Sequence, residues 1–228
     1  MREFSETMGF ETARDSTQYT ASVLDASGVH EKQAKAMKAQ LTKWDAIELA
    51  RRAAVDGVTK ANARVAWCDY ELDASVKRFA NELLRDANGN RDEKTFRTFF
   101  AEAPNEVIRL GLENEIELCE AMIATGAKVK VSKTASEALT AIKAKVAAGK
   151  KALDERKAAY AAQASVSLDM TAWKQATNAA RVSVYVGLQS WAVEHGEDRS
   201  YAERFFPEGP KRSAKGKQPG EGPGGGGA

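Results

Sequence analysis

The sequence predicts an all-α protein, and three observations support this prediction. All five prolines lie at 104 or beyond 206, which leaves the long segments 1–103 and 105–206 free of proline. Proline interrupts helix interiors, so long proline-free segments favour helices. Alanine, the strongest helix former, supplies 41 of the 228 residues, and apolar residues recur at helical spacings of three and four. We therefore expect an up-and-down bundle of about six helices.

Three helices are expected before Pro104. The first ends at Gly28, and the second and third are separated by Asp56-Gly57, which suits a turn. Gly89 lies just beyond the third helix, where a left-handed C-terminal glycine is expected. Because the helical spacing of apolar residues continues across Gly57, one continuous helix is the alternative to a hairpin here. The predicted ranges are 10–26, 30–55 and 59–87.

Three further helices are expected after the first proline. Asn105 is a suitable N-cap for the first of them. Thr134 and Glu137 form a capping box that opens a long helix with apolar residues at heptad-like, coiled-coil positions. Ser167 or Asp169 can cap the last helix. The predicted ranges are 105–125, 134–165 and 169–195.

The two proline-free segments resemble each other, which predicts an internal duplication. Each ends in a phenylalanine pair followed by a glutamate and a proline, and the two pairs superimpose at an offset of 106 residues. The apolar stripes do not coincide at this offset, although a two-residue difference in one loop would reconcile both patterns. We therefore expect two tandem three-helix repeats, 10–104 and 105–207, packed together as one bundle.

Both ends of the chain are expected to be unstructured. We expect residues 1–9 to be flexible. Residues 208–228 are rich in proline and glycine, carry a basic excess and contain no large apolar side chain. Such a segment cannot bury enough surface to offset the conformational entropy lost on folding. The sequence therefore predicts a disordered basic tail.

Composition limits where the protein is expected to work. Lys and Arg total 34 against 32 Asp and Glu, a net charge of +2, and the mean hydropathy is −0.47. No apolar run approaches the roughly 18 residues of a membrane helix, and the N-terminus lacks the apolar core of a signal peptide. Cys68 and Cys119 lack CxxC spacing, so we expect free buried thiols in a reducing compartment. These observations predict a cytoplasmic protein without membrane association.

The sequence does not indicate catalysis or a cofactor. It contains no Walker A, G-x-G-x-x-G, G-x-S-x-G or H-E-x-x-H motif. The only histidines, His30 and His195, are too few for a histidine-rich metal site. Glu113, Glu117 and Glu120 share a helix face but lack the Glu-x-x-His partners of di-iron bundles, so we expect them to be solvated. We predict a non-catalytic protein with no cofactor and no metal.

Two aromatic corners are the candidate docking anchors. The pairs Phe99-Phe100 and Phe205-Phe206 lie outside the predicted helices, and aromatic side chains are enriched at the centres of protein interfaces. We expect these rings to fold back as lids over apolar ends of the bundle, and docking of a partner is the alternative. The four tryptophans lie in the middle of predicted helices, and we expect them in the core.

The segment Lys128–Lys157 is locally basic, with nine basic residues against three acidic ones. Such a cluster can contact phosphate groups or an acidic partner. Apart from Tyr160, it lacks the aromatic side chains on which nucleic-acid bases stack, so we expect a solvated helix surface, with an acidic partner or nucleic acid as the alternative. The candidate contact residues are Lys143, Lys145, Lys150, Lys151 and Lys157.

Together these features favour a binding role. We predict a scaffold, adaptor or assembly subunit that presents helix faces to another protein or to a second copy of itself. The alternative is a nucleic-acid-associated protein that uses the basic helix 128–157 and the basic tail. The nearly neutral charge of the whole chain disfavours nucleic acid as the main partner.

Overall fold

A computed structural model describes residues 3–5 and 7–207 of the chain. Of these residues, 82% are helical and none forms a strand, which confirms the all-α prediction. The predicted tail 208–228 lies outside the described residues. The helices are α1 (Phe10–Ser27), α2 (Glu31–Asp86), α3 (Lys94–Phe99), α4 (Pro104–Val107), α5 (Leu112–Gly126) and α6 (Lys133–His195), followed by a 3₁₀ turn (Tyr201–Phe205).

Two of these helices are much longer than predicted. α2 runs without a break through Gly57, so the predicted hairpin between 30–55 and 59–87 is wrong and the continuous alternative holds. α6 likewise joins the predicted helices 134–165 and 169–195. The expected breaks fail because Thr59 and Ser167 donate their hydroxyls to carbonyls four residues earlier, at 3.1 and 3.2 Å, instead of capping a new helix.

The predicted helix 105–125 is interrupted. Pro104 occupies the first turn of the short α4, and the chain then reaches Gly111 at φ +74°. This left-handed conformation, which glycine adopts at little cost, cannot continue a right-handed helix. The main helix therefore begins only at Leu112. Gly28 and Gly89 also have positive φ, as their predicted places at helix ends require.

The chain divides into two compact units. The first comprises Met1–Asp45 and Thr171–Ala228, and the second comprises Ala46–Met170. α2 and α6 each contribute a segment to both units. The boundaries of these units differ from those of the predicted repeats 10–104 and 105–207, so the two-fold repeat stays a prediction.

In the first unit, α1 packs with the start of α2, the end of α6 and the 3₁₀ turn around a buried apolar cluster. Leu24, Met37 and Leu188 are fully buried members from the three helices. Each helix supplies the apolar stripe that its spacing of three and four predicts. This part of the fold therefore follows directly from the sequence pattern.

The N-terminal segment contacts this unit at Phe4. The Phe4 backbone N–H donates to the Asn178 side chain at 2.8 Å, and the Asn178 amide donates back to the Phe4 carbonyl at 3.1 Å. The Phe4 ring is buried. A single α6 side chain thus satisfies both backbone groups of Phe4, and the flexibility expected of 1–9 stays a prediction.

In the second unit, the later part of α2 packs with α5 and the earlier part of α6. Leu72, Ile116 and Ile142 contribute one buried side chain from each helix. Gly149 allows α5 and α6 to approach closely, since a Cβ at this position would lie 3.0 Å from Ile116 and 3.1 Å from Leu112. A glycine inside a helix lowers its stability, and here that cost is offset by closer packing of α5 and α6.

Candidate functional site

The aromatic corners are buried within the two units. The exposed fractions of Phe99, Phe100, Phe205 and Phe206 lie between 2 and 6%. The Phe99 ring meets Phe79 edge to face, with centroids 5.1 Å apart. Their burial fits the prediction of apolar lids, since the short helices that carry them fold back onto their own units.

One corner closes over a buried histidine in the first unit. His30 is fully buried, and its Nε2 lies 2.8 Å from the Tyr201 hydroxyl. Its ring also meets Trp191 and Phe205 edge to face, at 4.9 and 5.1 Å. Burial, assisted by the charge of His195, lowers the pKa of His30, because neither an apolar surround nor a nearby cation favours the imidazolium.

A buried arginine lies in the same unit. The Arg181 guanidinium carbon lies 4.4 Å from the centroid of Phe4 and 5.0 Å from that of Phe206. One guanidinium nitrogen donates to the Ser16 and Thr20 hydroxyls at 3.0 and 3.4 Å. Burial lowers the pKa of Arg181 to about 10, which leaves it charged at neutral pH. These contacts tie the N-terminal and C-terminal segments to α6.

The predicted phosphate-contact lysines are largely neutralised by neighbouring carboxylates. Three of the five form ion pairs, so their charges are partly compensated within the protein. Lys143 and Lys157 are exposed and have no ion pair among the described residues. The prediction of phosphate contacts gains no support from this arrangement. The pairs are Lys145–Glu71 (2.9 Å), Lys150–Glu120 (2.7 Å) and Lys151–Glu155 (3.9 Å).

An aromatic pair that the sequence placed in the core is exposed on α2. Trp67 is 60% exposed and Tyr70 is 64% exposed. Their rings lie with centroids 5.7 Å apart. The other tryptophans are partly or fully buried, and the rings of Trp44 and Trp173 are tilted relative to each other with centroids 4.6 Å apart. The core prediction is thus wrong for Trp67, which lies outside the stripe of α2 that faces α5 and α6.

These two rings border a groove between α2 and α6, which we call the α2–α6 groove. Its volume is about 320 Å³. Three alanines lie along it, and the Lys145–Glu71 ion pair crosses it. Arg78 also lines the groove and has no ion-pair partner among the described residues. The lining residues are Trp67, Tyr70, Glu71, Ala74, Ser75, Arg78, Ala138, Ala141 and Lys145.

A second unusual feature lies on the side of α2 that faces α5. Glu115 of α5 is fully buried, and no donor from another residue reaches either of its carboxyl oxygens. Asp69 and Asp73, one helical turn apart on α2, each have one buried oxygen without a hydrogen-bond partner. We call these three residues the carboxyl cluster. Buried carboxyl groups without partners are costly, so the cluster needs a physical explanation.

The carboxyl cluster holds a proton at neutral pH. Burial, together with the negative charge of Asp73, raises the pKa of Glu115 to about 8. The neutral Glu115 can then donate a hydrogen bond to the Asp73 carboxylate. Burial and the charge of Asp73 also raise the pKa of Asp69. Burial and the nearby Glu115 raise the pKa of the Cys119 thiol to about 12, which leaves an inert thiol.

A cavity of about 330 Å³ opens beside Asp69. Its walls combine apolar side chains with polar groups, and the ion pair between Arg156 and Glu113, at 2.6 Å, lies at the cavity. The lining residues are Asn62, Val65, Ala66, Asp69, Leu110, Gly111, Leu112, Glu113, Asn114, Leu153 and Arg156.

Sequence reasoning missed both features for identifiable reasons. Glu115 lies three residues after Leu112 and four before Cys119, which places it on the buried stripe of α5. That spacing predicts that Glu115 is buried, unlike the exposed glutamates of the same helix. Trp67 directly precedes the buried Cys68, which places it beside the apolar stripe of α2 and not on it. Its large aromatic side chain alone suggested burial.

Comparisons with protein-family models, curated proteins and solved structures found no match for the chain. Within residues 3–5 and 7–207, no group of three or more His, Cys, Asp or Glu side chains is arranged to hold a metal ion. Over the same part of the chain, no helix has the length and apolar character needed to cross a membrane. Any functional conclusion therefore depends on the groove and the cluster themselves.

Proposed function

We propose that the protein is a non-catalytic helical scaffold whose α2–α6 groove binds an α-helix of a partner protein. The observation that carries this proposal is the exposure of Trp67 and Tyr70 side by side at the groove. Tryptophan and tyrosine dominate the binding energy of protein interfaces. In solution these rings leave a large apolar area in contact with water, which a partner would cover.

The shape of the groove favours a helix as the occupant. Ala74, Ala138 and Ala141 keep the surface between the two helices low. Small side chains let a third backbone approach closely, and helices commonly bind in such grooves through apolar residues spaced three and four apart. The bound helix would pack along α2 and α6 as an additional member of the bundle.

Charge defines the partner further. Arg78 lies in the groove without an ion pair among the described residues, whereas Lys145 is already paired with Glu71. A carboxylate on the partner helix, placed opposite Arg78, would complete the pattern of charges. The partner helix is therefore amphipathic and carries an acidic residue beside its apolar face.

The first experiment captures the partner at the groove. A photoactivatable benzoylphenylalanine replaces Tyr70 in the full chain, and cross-linked products are mapped by mass spectrometry in cells that express it. A matched control carries the same group at Leu168, an equally apolar residue that is 72% exposed elsewhere on the second unit. We expect an adduct only at position 70, on a helix with an adjacent acidic residue.

The second experiment measures the affinity of that partner. Trp67→Ala should weaken binding by at least about tenfold, the loss of an interface hot spot. Arg78→Glu should also weaken it, and exchange of the partner's acidic residue for lysine should restore it. Adducts equally frequent at both positions, adducts joining two copies of this chain, or unchanged affinity of Trp67→Ala would each overturn the proposal.

A further inference from the structure

We propose that the outer face of α6 in the first unit pairs two copies of this chain into a weak antiparallel dimer. We call this face, which extends from Thr171 to Val193, the α6 seam. The α2–α6 groove of the proposed function lies in the second unit, so this inference goes beyond the docking of a partner helix.

The α6 seam carries uncharged side chains at every exposed position. The charged residues between Thr171 and Val193 are Lys174 and Arg181, and both are buried, at 8 and 2% exposure. The exposed surface of α2 in the same unit is rich in charge. Its charged exposed residues are Glu31, Lys32, Lys35, Lys38, Lys43 and Asp45. A surface that stays in water normally mixes charges of both signs, so the uncharged α6 seam differs from its neighbour as an interface would.

The exposed residues of the α6 seam follow the alternating spacing of three and four that defines a coiled coil. The spacing continues for three heptads, opposite the stripe of α6 that is buried in its own unit. The three valines on it, Val182, Val186 and Val193, are 37, 52 and 82% exposed. Such a stripe favours a second helix packed along it. Its members are Ala172, Gln175, Ala179, Val182, Val186, Gln189 and Val193.

A second copy of the α6 seam is a better occupant than a charged helix or the tail of the chain. An uncharged surface meets itself without repulsion between like charges, and it offers no charge that would select a charged partner. Residues 208–228 contain no large apolar side chain that could cover the valines. Because a two-fold axis makes each contact occur twice, one self-compatible face is sufficient for a closed dimer.

The sizes of the side chains favour an antiparallel pairing centred between Val182 and Val186. In this pairing Val182 of each copy meets Val186 of the other, and the small Ala179 faces the longer Gln189. A parallel pairing would set Ala179 against its own equivalent and leave a gap. Facing positions pack best when large and small side chains alternate, which the antiparallel arrangement achieves.

The length of the paired segment determines the strength of the dimer. Over 175–193 the two helices would lie side by side for about 28 Å. With a contact about 12 Å wide, the dimer buries on the order of 700 Å² over both copies, which is less than a stable complex needs. We therefore expect a reversible dimer with a dissociation constant on the order of 0.1 mM.

Sedimentation equilibrium of the full chain over about 0.01 to 1 mM measures this association. The parent should change from monomer to dimer over this range. Val186→Glu should stay monomeric, because each dimer would bury two unpaired carboxylates. The matched control is Leu49→Glu, which places the same charge at a 72% exposed residue of the second unit and should dimerise like the parent.

A second variant tests the orientation of the two helices. Val182→Lys alone should also stay monomeric, whereas a mixture of Val182→Lys and Val186→Glu chains should form a mixed dimer. The introduced opposite charges face each other only in the antiparallel pairing, and a paired charge is far less costly to bury. A mixture that remains monomeric would overturn this pairing.

Two further outcomes decide against the dimer as a whole. A parent chain that stays monomeric throughout the range would overturn the proposal, as would Val186→Glu chains that associate like the parent. Trp67→Ala should dimerise normally, so a failure here is distinct from a failure of helix docking. Circular dichroism before each run checks folding, which substitutions at exposed positions should preserve.

Discussion

The two units bury charged groups in opposite ways. The first unit buries the Arg181 guanidinium between two phenylalanine rings and gives it hydroxyl acceptors. The second buries the Glu115 carboxyl without a hydrogen-bond donor and beside two further carboxyl groups. The first arrangement joins segments of the chain that are distant in sequence. The second brings α2 and α5 together through carboxyl groups, and it costs stability unless a proton, which Glu115 can share with Asp73, compensates it.

This difference separates a structural role from a functional one. Buried polar groups that are fully paired specify how helices and chain ends pack. Buried carboxyl groups that lack partners are typical of sites where a ligand or proton acts. The second unit also carries the exposed Trp67–Tyr70 pair. The residues that support the proposed binding role therefore lie in the second unit, whereas the contacts between the chain ends lie in the first.

The largest expected effect compares the aromatic corners of the two units. Phe99→Ala and Phe205→Ala should each lower the free energy of unfolding by about 3–5 kcal/mol, because each removes a buried ring that fills its unit. Urea denaturation of the two variants measures this. Matched controls are Leu168→Ala and Val193→Ala, which are highly exposed and should stay within about 0.5 kcal/mol of the parent. A corner variant as stable as its control would show that its ring does not close its unit.

The second effect is the pH dependence of the second unit. Folded Glu115 has a pKa near 8 against an ordinary value of 4.5, so the folded state binds a proton that the unfolded state releases. The contribution of Glu115 to the free energy of unfolding is therefore complete below pH 4.5 and is lost as the pH rises to about 8. Each pKa unit corresponds to about 1.4 kcal/mol, so the loss is on the order of a few kcal/mol.

Hydrogen exchange of amides in the second unit, followed from pH 5 to 9 and corrected for intrinsic rates, measures this loss. Glu115→Gln should flatten the profile, because the amide has no proton to release. Glu120→Gln is the control and should retain the slope. If hydrogen exchange in the parent protein does not depend on pH in this way, the buried carboxyl groups are compensated in solution.

The third effect has the opposite sign and concerns the first unit. The pKa of His30 is lowered in the folded state, so the unfolded state binds a proton more readily. Stability from this group is complete above pH 6.5 and is lost as pH falls from 6.5 toward the folded pKa. Thermal denaturation reported by amides of the first unit should show this acid loss, and His30→Gln should remove it. A first unit equally stable at pH 7 and pH 5.5 would contradict the prediction.

The sequence predicts the helices and most of the core but not the polar exceptions. The stripe from Leu72 to Phe79 on α2 follows from helical spacing, and these side chains are buried as expected. Continuity through Gly57 could not be decided from local signals, since a glycine in a helix costs only about 1 kcal/mol and packing along the helix outweighs this. Gly111 separates α4 from α5 because its backbone is left-handed and cannot continue a right-handed helix.

The candidate site was hidden from the sequence for a different reason. Residue type predicts burial on average, but position on the helix decides it in each case. Trp67 is exposed because the neighbouring Cys68 occupies the buried face of α2, and Glu115 is buried because Ile116 and Cys119 place its face of α5 inward. Which face of a helix is buried depends on which other helices pack against it, and only the folded structure shows this.

The smallest expected effect is that of Trp67→Ala, and a comparison with the buried Trp173 tests this distinction directly. Trp173 is buried, packs against Trp44 and donates its indole N–H to the Gln40 carbonyl at 2.8 Å, so Trp173→Ala should cost about 3–5 kcal/mol. Trp67→Ala removes a ring that contacts mainly Tyr70 and water, so it should change the free energy of unfolding by less than about 1 kcal/mol. Urea denaturation of both variants, with circular dichroism as the readout, makes the comparison. If Trp67→Ala instead destabilises as much as Trp173→Ala, the ring belongs to the core of the second unit, and the α2–α6 groove loses its docking surface. If the change is small and partner binding is lost, the ring is maintained for binding and not for folding.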